Sequence, residues 1–207
     1  RYLPISPPIG IGILGAYLLS QNKNVKILDE NVIPITEEIL DNQVNGLSEP
    51  YIFGISCVTA SVRRSYELAG IIKRKYPHSV VIMGGIHPTA LPEEVLKADA
   101  VDIVVIGEGE EALSALYEAI KKGRGYSDIL GIAFKKDKFI VRNARSRLFP
   151  DLNLLPSFPY HLFHKISNRY NLGFISSSRG CPYSCIFCSQ KLISGTKYRF
   201  LDPERVI

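Results

Sequence analysis

At 207 residues, 46% hydrophobic and 22% charged, the chain has the composition of a globular protein and is too mixed for intrinsic disorder. No apolar run reaches transmembrane length, and the net charge of +5 is spread over scattered groups (Arg63, Arg64, Lys73 to Lys75, Lys121 to Arg124, Lys135 to Lys138) that read as solvated helix faces and a turn. Membrane insertion and nucleic-acid binding are therefore not expected, and four cysteines without a secretory signal point to a reducing, cytoplasmic compartment.

In chain order, Ile11 to Ser20 and Thr36 to Gln43 read as helices, with the extended run NVKILDE (24–30) between them. Three further strands, YIFGISCVT (51–59), SVVIMGG (79–85) and VDIVVIGEG (101–109), alternate with helices over Val62 to Lys75, Pro92 to Lys97 and Glu111 to Lys122. The strands are short and β-branched and end in Gly, Ser or Asp, as buried parallel strands do. The helix from Val62 keeps Leu68, Ile71 and Ile72 on one face and places Arg63, Arg64, Lys73 and Arg74 largely elsewhere. This alternation predicts an α/β fold with an open, doubly wound parallel sheet, whose ligands bind at the C-terminal strand ends.

Residues 129–142 alternate around Lys-Asp-Lys and read as a β-hairpin. The stretch that follows, with Pro150, Pro156 and Pro159, reads as an extended linker. Within it FPYHLFHK places His161 and His164 four residues apart on a possible helix; a packed linker helix is favoured over a chelating pair. FISSSRGC, apolar and then small, reads as a strand ending in a loop, and LDPERVI as the beginning of a helix.

The predicted strand ends carry SCVTAS, GGIHPT and GEGE. Small residues let a bulky ligand approach the backbone, and the following helix N-termini offer unpaired N–H groups. Each loop also has a plain structural reading: Thr59 or Ser61 as a helix N-cap, the GG before HP as an ordinary turn, and Glu110 or Glu111 as a partner of the helix dipole.

Cys181, Cys185 and Cys188 fall in the string SSRGCPYSCIFCSQ. Three thiolates at this spacing can hold one polynuclear metal centre and leave a coordination position open for chemistry. A structural zinc site would need a fourth Cys or His nearby, yet the only other cysteine is Cys57 and no histidine follows Cys188. A disulfide framework belongs to small secreted chains, and three buried cysteines without a role would be unusual in so turn-rich a segment.

The spacing CxxxCxxC, with Phe187 before the last cysteine, resembles the signature of the radical S-adenosylmethionine (SAM) superfamily. The resemblance implies that Cys181, Cys185 and Cys188 hold three irons of a [4Fe-4S] cluster and that SAM chelates the fourth. It also implies cleavage of SAM to a 5′-deoxyadenosyl radical, with Phe187 near the adenine. FISSSRGC would then be the first strand of a (β/α) barrel, ending in the cluster loop.

The series PPIGIGILGAYL, ILDE, GISCVTA, GGIHPTALPEE and VDIVVIGEGEEALSAL resembles, in sequence and spacing, the cobalamin (B12)-binding domain that precedes the barrel in one class of radical SAM enzymes. That domain is a flavodoxin-like α/β sheet. By resemblance the cofactor-binding residues are Ser56, Cys57, Thr59, Gly84, Gly85, His87, Thr89, Gly107, Glu108 and Gly109, around the corrin and its nucleotide tail. Many B12 proteins carry Asp-x-His-x-x-Gly before the first helix; ISPPIG stands here without a histidine, which favours cobalamin held without a protein imidazole beneath cobalt. His87 is expected to hydrogen-bond within its loop rather than to ligate cobalt, and Cys57 to be a small core or cofactor-wall residue.

The expectation is thus the N-terminal part of a longer enzyme, inactive by itself and lacking the first strand of the sheet. Residues 1–141 would form the cobalamin-binding domain, 142–169 the linker and 170–207 the start of the barrel. The cofactors implied are a [4Fe-4S] cluster, SAM and cobalamin. The reaction implied is methyl transfer to an unactivated carbon, with oxidation, ring contraction or ring formation as the alternative, and a non-catalytic cobalamin-binding module as a further one. The partners implied are a small-molecule or natural-product substrate and an electron donor such as flavodoxin or ferredoxin.

Overall fold

A computed structural model describes residues 5–166 and 169–206. Helix α1 (Ile9–Ser20) starts directly after Pro8, and α2 (Glu37–Val44) is capped by the Thr36 side chain, which accepts the N–H of Ile39 beside Glu37 and Glu38 in the first turn. Then come β1 (Ile52–Ser56), a 3-10 turn (Thr59–Ser61), α3 (Val62–Lys75), β2 (Val80–Gly84), α4 (Ile86–Ala90), α5 (Pro92–Leu96), β3 (Ile103–Val105) and α6 (Glu110–Lys121). Strands β4 (Ile132–Lys136) and β5 (Phe139–Arg142) form the predicted hairpin, turning at Asp137 with φ 54°. After a 3-10 turn (Leu152–Leu154) follow α7 (Tyr160–Ile166), β6 (Ser178–Arg179), α8 (Gln190–Ser194), β7 (Arg199–Phe200) and α9 (Pro203–Val206).

The chain divides into two compact units. The first consists of Gly46–Pro150 and Gly180–Tyr198 and holds a five-stranded sheet in the order β1-β2-β3-β4-β5. Strands β1, β2 and β3 are parallel, with Ile52 opposite Val80 and Ile82 opposite Ile103. The hairpin extends the sheet antiparallel, with Val104 opposite Ala133, so the flavodoxin-like parallel sheet becomes mixed. Ala112, Leu116 and Ile120, one helical face of α6, pack with Ile82, Ile103, Val105, Ile132 and Phe134. By strand alternation Val81, Met83 and Val104 point to the opposite face, and each is 0% exposed, so both faces are covered.

The second unit draws on the described parts of Arg1–Asn45, Asp151–Arg179 and Arg199–Ile207. The Phe158 ring occupies the space that a Cβ on Gly12 would fill, which is why α1 carries glycine there. Phe158 stacks on Phe163 at 5.2 Å, and Tyr170 meets Phe163 edge-on at 5.6 Å. The Tyr170 hydroxyl donates to buried Asp29 at 2.7 Å, and Asp29 also accepts the Asn31 N–H at 3.0 Å.

Two strand expectations are corrected. NVKILDE forms no strand: Ile27 packs over Gly15 and Asp29 turns to Asn31 and Tyr170, and the run has no ladder neighbour among the described residues. Of FISSSRGC only Ser178–Arg179 is a strand, paired antiparallel with Arg199–Phe200. The chain returns to this strand in the opposite direction after the cysteine loop and α8, so the pair is an antiparallel ladder. His161 lies on α7 as expected, and the side chain of His164 lies outside the described set. Among the described residues no helix is long and apolar enough to cross a membrane.

Candidate functional site

The C-terminal ends of β1, β2 and β3 are drawn together by hydrogen bonds between their loops. Ser56 is opposite Gly84, the Cys57 N–H donates to the Gly84 carbonyl at 3.0 Å, and the His87 N–H donates to the Cys57 carbonyl at 3.4 Å. Gly85 sits between these contacts at φ 98°, and a Cβ there would lie 2.7 Å from the Cys57 carbonyl oxygen. The Thr89 hydroxyl accepts the Gly107 N–H at 3.0 Å, tying the second loop to the third. Ser56, Cys57, Gly84, Gly85, His87, Thr89 and Gly107 therefore form one ledge. Ser56, Thr59, Val58 and Ile86 are exposed at it. A Cβ on Gly84 would touch nothing closer than 3.9 Å, so protein packing does not require glycine there and its small size leaves room for a ligand.

Gly109 precedes the first turn of α6, and the buried Glu108 carboxylate accepts the Phe149 N–H at 2.9 Å. Glu110 is buried in the first turn of α6, as a partner of the helix dipole would be.

His87, 5% exposed, has both ring nitrogens engaged: Nδ1 lies 3.2 Å from Thr59 Oγ1 and Nε2 lies 2.8 Å from Glu94 Oε2. The Thr59 hydroxyl thus goes to His87 instead of capping α3. The Tyr66 hydroxyl donates to Glu94 Oε1 at 3.0 Å, and burial together with this carboxylate pushes the Tyr66 phenol up to about 12. Burial also pushes the Cys57 thiol up; a hydrogen bond with Ser65 acts against this and Glu94 adds to it. Glu94 and Tyr66 were not singled out in the sequence. The signal for Glu94 is its place seven residues beyond His87, two helical turns on, despite the break at Leu91 between α4 and α5.

The cysteine loop belongs to the same unit as the ledge. It is fastened at its start by Gly180, at φ 87° with the Lys197 carbonyl against the position of a Cβ, and by the Cys181 N–H donating to the Gly195 carbonyl at 3.3 Å. The Cys188 N–H donates to the Cys185 carbonyl at 3.1 Å, which makes the second half of the loop a turn. Helix α8 begins two residues later, packs against α4, and brings the Ile193 carbonyl to 3.4 Å from where a Gly107 Cβ would stand. Arg145 donates to the Leu192 carbonyl on the same helix. Cys181 is half-buried, Cys185 and Cys188 are exposed, and all three are free thiols. Phe187 is 90% exposed beside them. The donor set suits an iron–sulfur cluster. Among the described residues, however, no three His, Cys, Asp or Glu side chains are gathered into metal-binding geometry. A cluster bound by this loop would have to draw the three thiols together as it binds.

The chain is 31% identical over 210 residues to the uncharacterized methyltransferase PH0819 of Pyrococcus horikoshii, a match covering 97% of this chain and 44% of that protein. It is 27% identical to the anaerobic magnesium-protoporphyrin IX monomethyl ester cyclase of Synechocystis sp., covering 96% of this chain and 41% of the cyclase. The structure of the cobalamin-dependent S-adenosylmethionine radical enzyme OxsB, with aqua-cobalamin and S-adenosylmethionine bound, has the same fold. It matches with a TM-score of 0.83 at 22% identity, over 98% of this chain and 28% of that one. The chain thus spans less than half the length of each of these three proteins. A family model described as the B12 binding domain matches residues 2–117, a span that includes all three strand-end loops, and the chain belongs to that family.

Proposed function

We propose that this chain is the cobalamin-binding part of a radical SAM enzyme that transfers methyl groups to a small-molecule substrate. The observation that carries this reading is the fastening of a CxxxCxxC loop, through α8, to the strand-end ledge of a B12-binding domain. When bound, cobalamin supplies a transferable methyl group, and a [4Fe-4S] cluster with SAM supplies one-electron cleavage chemistry. Cys181, Cys185 and Cys188 are the three protein ligands of the cluster, and exposed Phe187 is the surface for the adenine. Ser56 and Gly84 leave space at the ledge, and the hydrogen-bonded loops hold it rigid. Both nitrogens of His87 are committed to Thr59 and Glu94, so His87 is not the ligand beneath cobalt. Residues 1–141 act as the cobalamin domain and 142–169 as the linker to the barrel. An electron donor such as flavodoxin or ferredoxin, and a cytoplasm low in oxygen, complete the reading.

The similarity to the magnesium-protoporphyrin cyclase favours a second reading, in which the same cofactors serve ring formation. The full-length, reduced protein with SAM, cobalamin and substrate separates the readings. Methyl transfer gives both S-adenosylhomocysteine and 5′-deoxyadenosine, and a product carrying the methyl group of labelled SAM. Deoxyadenosine without S-adenosylhomocysteine contradicts methyl transfer and favours the cyclase type. Cobalamin binding with neither product leaves a non-catalytic module.

A further inference from the structure

The hydrogen bonds around His87 fix the direction of a contact at the exposed edge of the ledge. Glu94 receives Nε2 of His87 at 2.8 Å on one oxygen and the Tyr66 hydroxyl at 3.0 Å on the other. An ionised carboxylate only accepts, so the proton of a neutral His87 is on Nε2 and Nδ1 is bare. Thr59 Oγ1, 3.2 Å from Nδ1, then gives its single proton to His87. Thr59 is exposed, and outward it offers lone pairs only. We propose that Thr59 is an acceptor-only contact for a side-chain amide N–H of the corrin ring, with His87 and Glu94 as positioning residues that keep its hydroxyl turned that way.

This rests on the ledge being the corrinoid site, and it gives that site a chemical preference. The corrin periphery carries primary amides, which donate, and an acceptor-only hydroxyl pairs with such a group. It faces a carboxylate, or the bare ring nitrogen of the nucleotide base, as one acceptor against another. The site therefore discriminates amide from carboxylate at one corrin side chain, and Thr59 meets the ring periphery rather than the tail base.

The test titrates the full-length protein with hydroxocobalamin and with its monocarboxylates, in each of which one side-chain amide is replaced by carboxylate. In the wild type one monocarboxylate binds about tenfold more weakly than the parent, the scale of one mismatched polar contact. Thr59→Ser keeps this penalty. Thr59→Val, which removes the acceptor, and Glu94→Gln, whose amide both donates and accepts and so frees the tautomer, each reduce it to about twofold. Glu94 is 48% exposed, so its substitution leaves the core filled. Nitrogen-15 NMR of the same proteins shows His87 protonated at Nε2 in the wild type and as a mixture in Glu94→Gln. Equal penalties in the wild type and both variants, or a wild-type His87 protonated at Nδ1, overturn the proposal and leave the corrinoid site standing. A wild-type protein that binds no hydroxocobalamin overturns the site itself.

Discussion

The hydroxyl of Thr89 accepts the backbone N–H of Gly107 at 3.0 Å, joining the loop after β2 to the loop after β3 at a glycine with φ 86°. Thr89 is 6% exposed, so an isosteric Thr89→Val variant leaves the Gly107 N–H without this acceptor. The expected cost is about 1–3 kcal/mol in denaturant unfolding. Thr89→Ser keeps the bond and loses one methyl group, at about 1 kcal/mol. Equal stability of Thr89→Val and the wild type would contradict this role.

Neighbouring glycines separate fold from ligand space. Gly85→Ala places a Cβ 2.7 Å from the Cys57 carbonyl oxygen at φ 98°, and is expected to destabilise the protein by about 1–3 kcal/mol whatever is bound. At Gly84 the same Cβ would have its nearest neighbours at 3.9 Å, an ordinary contact, so Gly84→Ala should leave stability within about 0.5 kcal/mol of the wild type. A larger residue at position 84 should weaken hydroxocobalamin binding with the melting temperature of the free protein held. Unchanged affinity in a stable Gly84→Leu variant would remove Gly84 from the site.

The four cysteines should differ in reactivity. Burial raises the Cys57 thiol, while Cys185 and Cys188 are exposed and Cys181 is half-buried. Folded, metal-free protein treated briefly with iodoacetamide near pH 8 should be alkylated at the three loop cysteines and spared at Cys57, as read by peptide mass spectrometry. Loading the cluster should protect the loop cysteines. Early modification of Cys57 would place it outside the buried wall.

Tyr66 sets an alkaline limit. Its folded pKa, about 12, is above its ordinary value of 10.0 because burial, and then Glu94, disfavour the phenolate. The unfolded chain therefore loses this proton first. The contribution of Tyr66 to stability is complete below pH 10 and is lost as pH rises from there through about 12. Tyr66→Phe should remove that part of the alkaline decline in unfolding free energy, and the ultraviolet phenolate step of Tyr66 should appear only above pH 11. A Tyr66 step near pH 10 in the folded protein would contradict the contact with Glu94.

Local signals were legible in the sequence. The helix from Val62 to Lys75 and the hairpin at Asp137 follow from apolar spacing and turn chemistry, and both stand in the structure as read. Partners far apart in sequence were not legible. NVKILDE has a strand-like pattern, but a ladder needs two strands and pattern identifies one. The joining of the hairpin to β3 was hidden for the same reason. At the site, the glycines and small residues of the three loops were visible because close backbone approach demands those residue types. Tyr66 and Glu94 are ordinary helix-surface residues in sequence, and only the fold shows them converging with His87. The hold of Arg145 on α8 is equally non-local.

In the proposed function one chain carries both a corrinoid ledge and a three-thiolate cluster loop. The most direct test is anaerobic reconstitution of the full-length protein, followed by counting iron and bound cobalamin per chain. About four irons and one cobalamin per chain are expected. Cys181→Ala, Cys185→Ala or Cys188→Ala should each abolish the iron and spare the cobalamin, and the cobalt spectrum should be unchanged in His87→Ala. Stoichiometric zinc in place of iron, iron unchanged in all three cysteine variants, or a nitrogen-ligated cobalt spectrum that disappears with His87 would contradict it.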